Sequence, residues 1–392
     1  MHPYLESQEK KFAIDYTFLG FNKPLKEKGQ IEAKITLKNK KLYAVPHFLL
    51  SKDNFSLSGN VETDQNLNIK TVNITNIKGP KTSAAAKIDF TYKPHKKIKV
   101  NVTGNSYDLT ELFVKREKTA KEKAAKAPDN NDDDLKSTPN IEIFIAVNSL
   151  WTNPDTPIKN FAGSAVLKTG IGIDDAHLIG NYGSDKSVKF TLDYSPKSNG
   201  EHYLSIDSNN AGSTLRVLRL YEKMNGGILK IEAKKDLNDN IIGHAKIRDF
   251  KISDTPLLAK LLTVASFSGM LDLLKGDGLV FSHFDAPFSY KNKTLKIDDA
   301  KMFGNVLGLT ATGTLNRATS DINVKGIISP AYSLNTMVGK IPLVGSILAG
   351  KDGTVFAVDY DISNTLDDPK ININPLSILS PNAVKDLFKD EN

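Results

Sequence analysis

Over most of this chain apolar residues recur at every second position. Ile31, Ala33, Ile35 and Leu37 alternate with Glu32, Lys34, Thr36 and Lys38. Such alternation puts apolar side chains on one sheet face and polar ones on the other, so it predicts β-strands. From Leu67 to Ile77 it runs through Leu67, Ile69 and Thr71, then continues through Val72, Ile74 and Ile77 after a phase slip, the mark of a β-bulge. Residues 88–92 and 98–102 form a strand pair across the turn Lys93-Pro94-His95. Further strands are predicted over 141–147, 161–167, 177–179, 188–194 and 203–206. In the C-terminal half they fall at 228–233, 242–250, 279–284, 286–290, 294–303, 307–315, 321–328 and 355–362, with a last short strand after Asp368-Pro369. Roughly 18 to 20 strands stacked about 4.8 Å apart would make a sheet of the order of 90 Å.

The period changes in a few places. Residues 106–126 are helix formers with Asp108 as a cap, apolar only at Leu109, Leu112 and Phe113. Residues 118–138 read as a solvated linker. Within them DNNDDD (129–134) has the acidity of a calcium loop, but it lacks the glycine at its sixth position and has Asn140 in place of the bidentate glutamate. Residues 214–227 predict an amphipathic helix (Leu215, Leu218, Tyr221, Met224) stopped by Gly226-Gly227. Asp254-Thr255-Pro256 caps an apolar helix running to Leu274. A very apolar helix, interrupted by Pro342, spans 333–348 and carries only Lys340 as a charge; a closing amphipathic segment spans 376–388. KIDFTYKP (87–94) and KFTLDYSPK (189–197) are loosely alike. Each is followed by a strand and an L-x-x-L helix start, which points to a module of about 100 residues repeated twice.

Composition changes this picture little. The 392 residues are 40% hydrophobic and 25% charged, as in a folded protein. The net charge of +7 is spread along the chain and fits either an anionic membrane face or simple solubility. With no cysteine, disulfides, thiolate zinc sites and cysteine nucleophiles are excluded. The N-terminus has no signal-peptide pattern, and the uncharged core of the most apolar segment, 261–271, is too short to span a bilayer. The seven histidines have no metal-ligand spacing. There is no G-x-S-x-G elbow, no phosphate loop, and Gly170-Ile171-Gly172 lacks the rest of a dinucleotide fingerprint. No aromatic-plus-basic constellation of a nucleic-acid reader is present. The expectation is a protein without enzyme activity, cofactor or metal.

Four ordered stretches carry a resemblance: LRLYEKMNGG; then HAKIRDFKISDTPLLAKLLTVASFSGMLDLLKGDGLVFSHFDAPFSY; then GLTATGTLN; then PAYSLNTMVGKIPLVGSILAGKDGTVFAVDYDISNTLDDPKININPLSILSP. Over about 204–388 the chain resembles the AsmA-like C-terminal family in its YhdP-like form, related to the TamB and AsmA bridge-like lipid-transport proteins of Gram-negative envelopes. The resemblance implies an apolar β-trough reaching across the periplasm from the inner membrane. It further implies phospholipid movement between inner and outer membranes, and outer-membrane integrity. The N-terminal membrane helix of such proteins is missing here, so the chain reads as a C-terminal piece of a longer protein or a product of a split gene.

The expected fold class is mainly β with a few short amphipathic helices: an elongated, twisted antiparallel sheet forming a groove. Alternation alone fits an open trough and a closed sandwich equally. The expected organisation is a β-groove segment (1–105), a helix and charged linker (106–138), a second groove segment (139–210) and an AsmA-like C-terminal region (211–392). Candidate groove residues are Leu229, Ile231, Ile247, Val324, Phe356 and Val358. Candidates for a membrane-docking helix face are Leu261, Leu262, Met270, Leu343, Val344, Ile347 and Leu348; the 333–348 helix reads either as a plug on the end of the sheet or as a membrane contact. Expected partners are phospholipids, a membrane surface and envelope proteins, with no nucleic acid. The alternative is an envelope scaffold that moves no lipid.

Overall fold

A computed structural model of the protein describes residues 4–7, 14–16, 21–23, 29–112, 139–183, 187–253, 255–265, 268–330, 355–374 and 378–379. The expected fold class is what it shows: 67% strand and 9% helix, in long, mostly antiparallel sheet with a few short helices. Two compact units divide at Pro196/Lys197.

The first unit contains β1 (Tyr4–Ser7), β2 (Ile14–Tyr16), β3 (Phe21–Lys23), β4 (Gln30–Lys38), β5 (Lys41–Lys52), β6 (Phe55–Thr63), β7 (Ile69–Lys78), β8 (Ser83–Thr91), β9 (Lys97–Asp108), β10 (Asn140–Trp151), β11 (Pro157–Lys168), β12 (Gly172–Asn181) and β13 (Lys189–Pro196). β2 and β3 form a separate hairpin. β1 pairs with β4, and from β4 to β9 each strand pairs with the next, antiparallel. β10 then lies parallel to β9, and the antiparallel order resumes through β13. A parallel neighbour needs a long crossover, because the chain must return to the same end of the sheet. The 106–138 stretch supplies that return. Its start differs from expectation: Ser106 to Asp108 complete β9, and helix is described only at 110–112. Asp108 does act as the cap, its Oδ1 accepting from the Thr110 N–H at 2.9 Å. The linker and DNNDDD lie outside the described residues. The slip expected between Thr71 and Val72 is not at that step: the register shifts of β7 lie between Ile69 and Thr71 and between Ile74 and Ile77. The second keeps both isoleucine side chains buried, at 2% and 0% exposure.

The second unit contains β14 (His202–Ser208), β15 (Met224–Lys235), β16 (Ile241–Ile252), β17 (Leu279–Lys291), β18 (Thr294–Gly304), β19 (Leu307–Asn316), β20 (Ile322–Pro330), β21 (Val355–Phe356), β22 (Val358–Asn364), β23 (Pro369–Asn374) and β24 (Ile378–Leu379). β14 to β20, then β22 and β23, pair antiparallel in that order; β21 and β24 form a separate ribbon. The two strands expected over 279–290 are one. The helices expected at 333–348 and the close of the chain beyond Leu379 lie outside the described residues.

Helices α1 (Ala211–Val217), α2 (Pro256–Val264) and α3 (Ser268–Lys275) sit at one end of this sheet. The helix expected from Thr214 to the Gly226-Gly227 stop ends at Val217, and Met224 to Gly227 belong to β15 instead. Asn210 caps α1 through Ser213 N–H, and Arg219 adopts a left-handed backbone (φ 56°) that ends it. Gly227 (φ 89°) does not stop a helix. A Cβ there would lie 2.9 Å from the Phe250 Cβ and 3.1 Å from the Ala211 Cβ, so glycine lets α1 seat on the strand. The helix expected from Pro256 to Leu274 is two helices. Pro256 opens α2 at its first position, as expected.

α2 decides the form of this unit's sheet. It leaves β16 yet packs on β23, where Lys260 Nζ donates to the Pro369 carbonyl. In a flat sheet those strands would be about 29 Å apart, six steps of about 4.8 Å. The chain from Ile252 to Lys260 reaches about 18 Å, as three extended and five helical residues. The sheet therefore curls toward the helix, which buries Leu258, Leu261 and Leu262. Removing the fully buried Leu262 side chain (L262A) should lower the stability of the protein by about 2–5 kcal/mol. Leu237→Ala, at a 73%-exposed site, should change it by less than about 0.5 kcal/mol. Urea unfolding midpoints measure both.

Candidate functional site

The feature with functional form is the apolar face of each sheet. In the second unit, register sets Leu229 opposite Ile247, and Ile247 opposite Phe284. It also aligns Val324 with both Gly313 and Ile362, and Ile328 with Val358. Ile373 and Ile371 on β23 extend the face beyond Tyr360 and Ile362. The opposite face carries Lys230, Glu232, Lys234, Lys246, Lys296, Asp298, Lys325 and Asp361, linked in part by ion pairs such as Lys230–Glu232 at 2.9 Å and Lys325–Asp361 at 3.5 Å. Such sidedness follows directly from the pleat.

Burial along this face is graded. Toward the helices, Met224, Phe250, Ile252, Leu279, Phe281 and Leu307 are buried, and the Phe250 and Phe281 rings stack at 5.5 Å. Toward the opposite turns, Ile241, Tyr290, Leu295 and Leu315 are only half-buried. The covered positions change parity at one level in three neighbouring strands: from buried Leu229 to Met224, from buried Ile247 to Phe250 and from half-buried Phe284 to buried Phe281. Gly227 and Asp249, both at positive φ, absorb the change in β15 and β16 while the register across all three strands holds. Midway along, the face is low: Ala245 stands opposite Ala286, and Ala300 opposite Ala311.

The first unit repeats the pattern. At the end bearing the turns 52–55, 79–82 and 152–156, Ile77, Ala84, Tyr107, Val147, Leu150 and Phe161 are buried. Polar groups lock this end: Trp151 Nε1 donates to Ser106 Oγ (3.1 Å), Ser106 Oγ donates to the Lys81 carbonyl (2.6 Å), and the Lys81 ammonium lies 4.3 Å from the Trp151 ring centre. At the other end, bearing the turns 38–41, 63–69, 91–97 and 168–172, Phe90, Ile98, Ile141 and Leu167 are half-buried and Ile173 is 51% exposed. Alanine pairs recur here, Ala165 opposite Ala176.

Of the residues expected in a groove, Leu229, Ile231, Ile247, Val324 and Val358 lie on one apolar face, with Leu229 and Ile247 buried and the other three half-buried. Phe356 is on β21, off the main sheet. Leu261 and Leu262 do not form a free helix face: they are buried, at 3% and 0% exposure. The sequence gives them away only as apolar, not as covered, because their cover is a strand more than 100 residues later. Met270 on α3 is half-buried. Leu343, Val344, Ile347 and Leu348 lie outside the described residues. Sequence reasoning missed the alanine floor and Tyr360. The alanines alternate in phase with larger residues and could have been counted. Tyr360 could not: it bonds over Gly326 to the Thr310 carbonyl (2.6 Å), where a glycine Cβ would lie 2.7 Å from the tyrosine oxygen. Burial pushes its phenol pKa up.

Each unit also has a shallow hollow. One of about 580 Å³ in the second unit is lined by Thr310, Lys325, Tyr360 and Asp361 among others. One of about 410 Å³ in the first is lined by Phe144, Ala162, Ser164, His177 and Ile179 among others. Among the described residues no group of three or more His, Cys, Asp or Glu could hold a metal, and no helix is long and apolar enough to cross a membrane. No protein-family model, curated protein or solved structure matches this chain.

The proton affinity of His177 is raised, first by its hydrogen bond to Asp193 (2.7 Å) and also by the charge of Asp175 (3.3 Å). Raised above its unfolded value, it contributes stability that is complete below about pH 6.5 and is lost as pH rises through the folded pKa. In an NMR titration His177 should titrate above 6.5, and Asp193→Asn should bring it down.

Proposed function

We propose that this is a non-enzymatic protein of a Gram-negative cell envelope, acting in the periplasm, whose apolar sheet faces carry phospholipid tails between the inner and outer membranes and so support outer-membrane integrity. The observation that carries this reading is the half-covered apolar face. In both units a ladder of Ile, Leu, Val, Phe and Ala is sealed at one strand end and only half-buried at the other. Burying each acyl CH₂ is worth about 0.8 kcal/mol, so a continuous apolar floor stabilises a tail anywhere along it. The alanine pairs keep that floor low where a tail would lie. A lipid in transit needs a shielded path without a polar anchor that would hold it in place, and the residues of this face are apolar row after row. The resemblance of residues 204–388 to the YhdP-like family supports the same reading.

The test uses the purified full chain. Extracted with organic solvent, it should yield phospholipid by mass spectrometry. Ile231→Lys, Val324→Asp and Val358→Lys place charge on half-buried floor positions. Each variant should fold, by circular dichroism, and each should lose about tenfold of its bound lipid, the effect of about 1.4 kcal/mol. Lipid-free wild-type protein, or lipid content unmoved by all three changes, would overturn the proposal. In cells, photo-crosslinkers at the same positions should label lipid; labelling of protein alone would instead favour the scaffold reading.

A further inference from the structure

The turns at the half-buried end of the first unit differ in chemistry from those at the sealed end. The β4–β5 turn presents Lys38, Lys40 and Lys41, all exposed, with Lys38 5.7 Å from the Tyr43 ring centre. The β8–β9 turn presents exposed Tyr92, Lys93, His95, Lys96 and Lys97. Neither turn contains an acidic residue. Lys97 is paired with Glu142, and Lys168 of the β11–β12 turn with Asp174 at 2.7 Å. Among the described residues, Lys38, Lys40, Lys41, Lys93 and Lys96 form no ion pair. The β6–β7 turn holds one carboxylate, Asp64, whose Oδ1 accepts from the Asn66 and Asn68 N–H groups, and is flanked by Glu62 on β6 and Lys70 on β7.

Exposed apolar bulk collects on the same rim. Of the eight exposed large hydrophobic residues described in this unit, six lie in or within two residues of these turns: Leu37, Tyr43, Ile69, Tyr92, Ile171 and Ile173. Of the other two, Phe144 lies within β10, and Ile179 lies two residues from Asn181, where β12 reaches the sealed end. The register places these turns side by side: Lys38 pairs with Lys41, Thr91 with Lys97, Lys97 with Asn140, and Lys168 with Gly172. The result is one basic edge tipped with aliphatic and aromatic side chains, at the same strand end where the apolar face is least covered.

We infer that this rim is the surface by which the first unit docks on an anionic phospholipid bilayer, with Leu37, Tyr92 and Ile171 entering the interface between headgroups and Lys38, Lys40, Lys41, Lys93 and Lys96 meeting their phosphates. Charge complementarity favours that occupant, since lysines near an anionic leaflet each strengthen binding and exposed apolar tips gain by leaving water. A nucleic acid would meet the lysines but leave Leu37, Ile69, Ile171 and Ile173 wet, as its contacts with side chains of this kind are made by aromatic stacking. The inference rests on the lipid-carrying reading only for the identity of the cargo. Docking at this rim would bring the bilayer to the half-buried end of the floor.

Vesicle flotation of the full chain tests it. The protein should float with vesicles of phosphatidylcholine containing 30% phosphatidylglycerol, about as the order-of-magnitude screening of surface charge allows, and should remain at the bottom of the gradient with phosphatidylcholine alone. Raising salt to about 0.5 M should release it. Lys38→Gln, Lys40→Gln and Lys41→Gln combined should weaken binding about a hundredfold, at about fivefold per lysine; Leu37→Ser with Ile171→Ser should weaken it independently of salt. Both variants should keep the wild-type circular dichroism spectrum. Equal binding to neutral vesicles, retention by the lysine variant, or binding of a single-stranded oligonucleotide without vesicle binding would overturn the inference. Val324→Asp, on β20 of the second unit, should float like the wild type while losing bound lipid, and the wild-type readouts separate the two proposals. If lipid carrying fails but docking holds, vesicle binding survives while no lipid co-isolates with the wild type; if docking alone fails, lipid co-isolates while the protein does not float.

Discussion

Cross-strand register is the constraint on which everything else here depends. Side chains alternate with a period of two, so a slip of one residue would turn a whole apolar row outward. The two sheets hold their apolar faces continuous because each departure from the period is matched locally. Ile74 and Ile77 stay buried across a register shift. The Gly227 and Asp249 positions reverse parity together, so Phe250 and Phe281 lie on the same face as Ile247 and Phe284. The register shift between Ile297 and Ala300 does the same in β18, with Asp299 in a left-handed backbone between them. Gly and Asp serve at these points because both tolerate positive φ at low cost.

A sheet ordinarily covers its apolar face with a second layer. Among the described residues the cover is partial. α2 and the curl of the second unit's sheet enclose one end of the face; Tyr107, Trp151 and their neighbours enclose one end in the first unit. The sealed ends supply the buried area that holds each unit together, which leaves the opposite ends free to expose apolar surface. Stability and function thus draw on the same ladder of residues, separated along the strands rather than between strands.

The strands were legible because alternation is a local signal. So was the cap at Asp108, and so was the proline start of α2. What stayed hidden was set by distant chain. Residues 214–227 have a good helical pattern, yet Met224 to Gly226 pair with Phe250 to Ile252, and that ladder wins over local preference. The division of 256–274 into two helices, and the burial of Leu261 and Leu262, depend on β23. The parallel order of β9 and β10 left no trace in either strand, since a strand's own pattern does not say which way its neighbour runs. Five of the six groove candidates fell on a common face because they share a phase, and Phe356, on β21, lies off it. The alanines that lower that face were passed over because they are weakly apolar singly and matter only as cross-strand pairs.

The parallel joint between β9 and β10 has a consequence for how the first unit assembles. From β4 to β9, and again from β10 to β13, each strand meets a partner a few residues away, so structure can spread hairpin by hairpin with little chain entropy lost at each step. Joining β10 to β9 instead closes about 30 residues, which by loop-length scaling costs about 1.6 kcal/mol more than closing a five-residue turn. The two runs of hairpins should therefore form as separate nuclei and dock late. Dependence of folding rate on topology would concentrate in that one seam, and the length of the crossover, more than any turn, would set the pace.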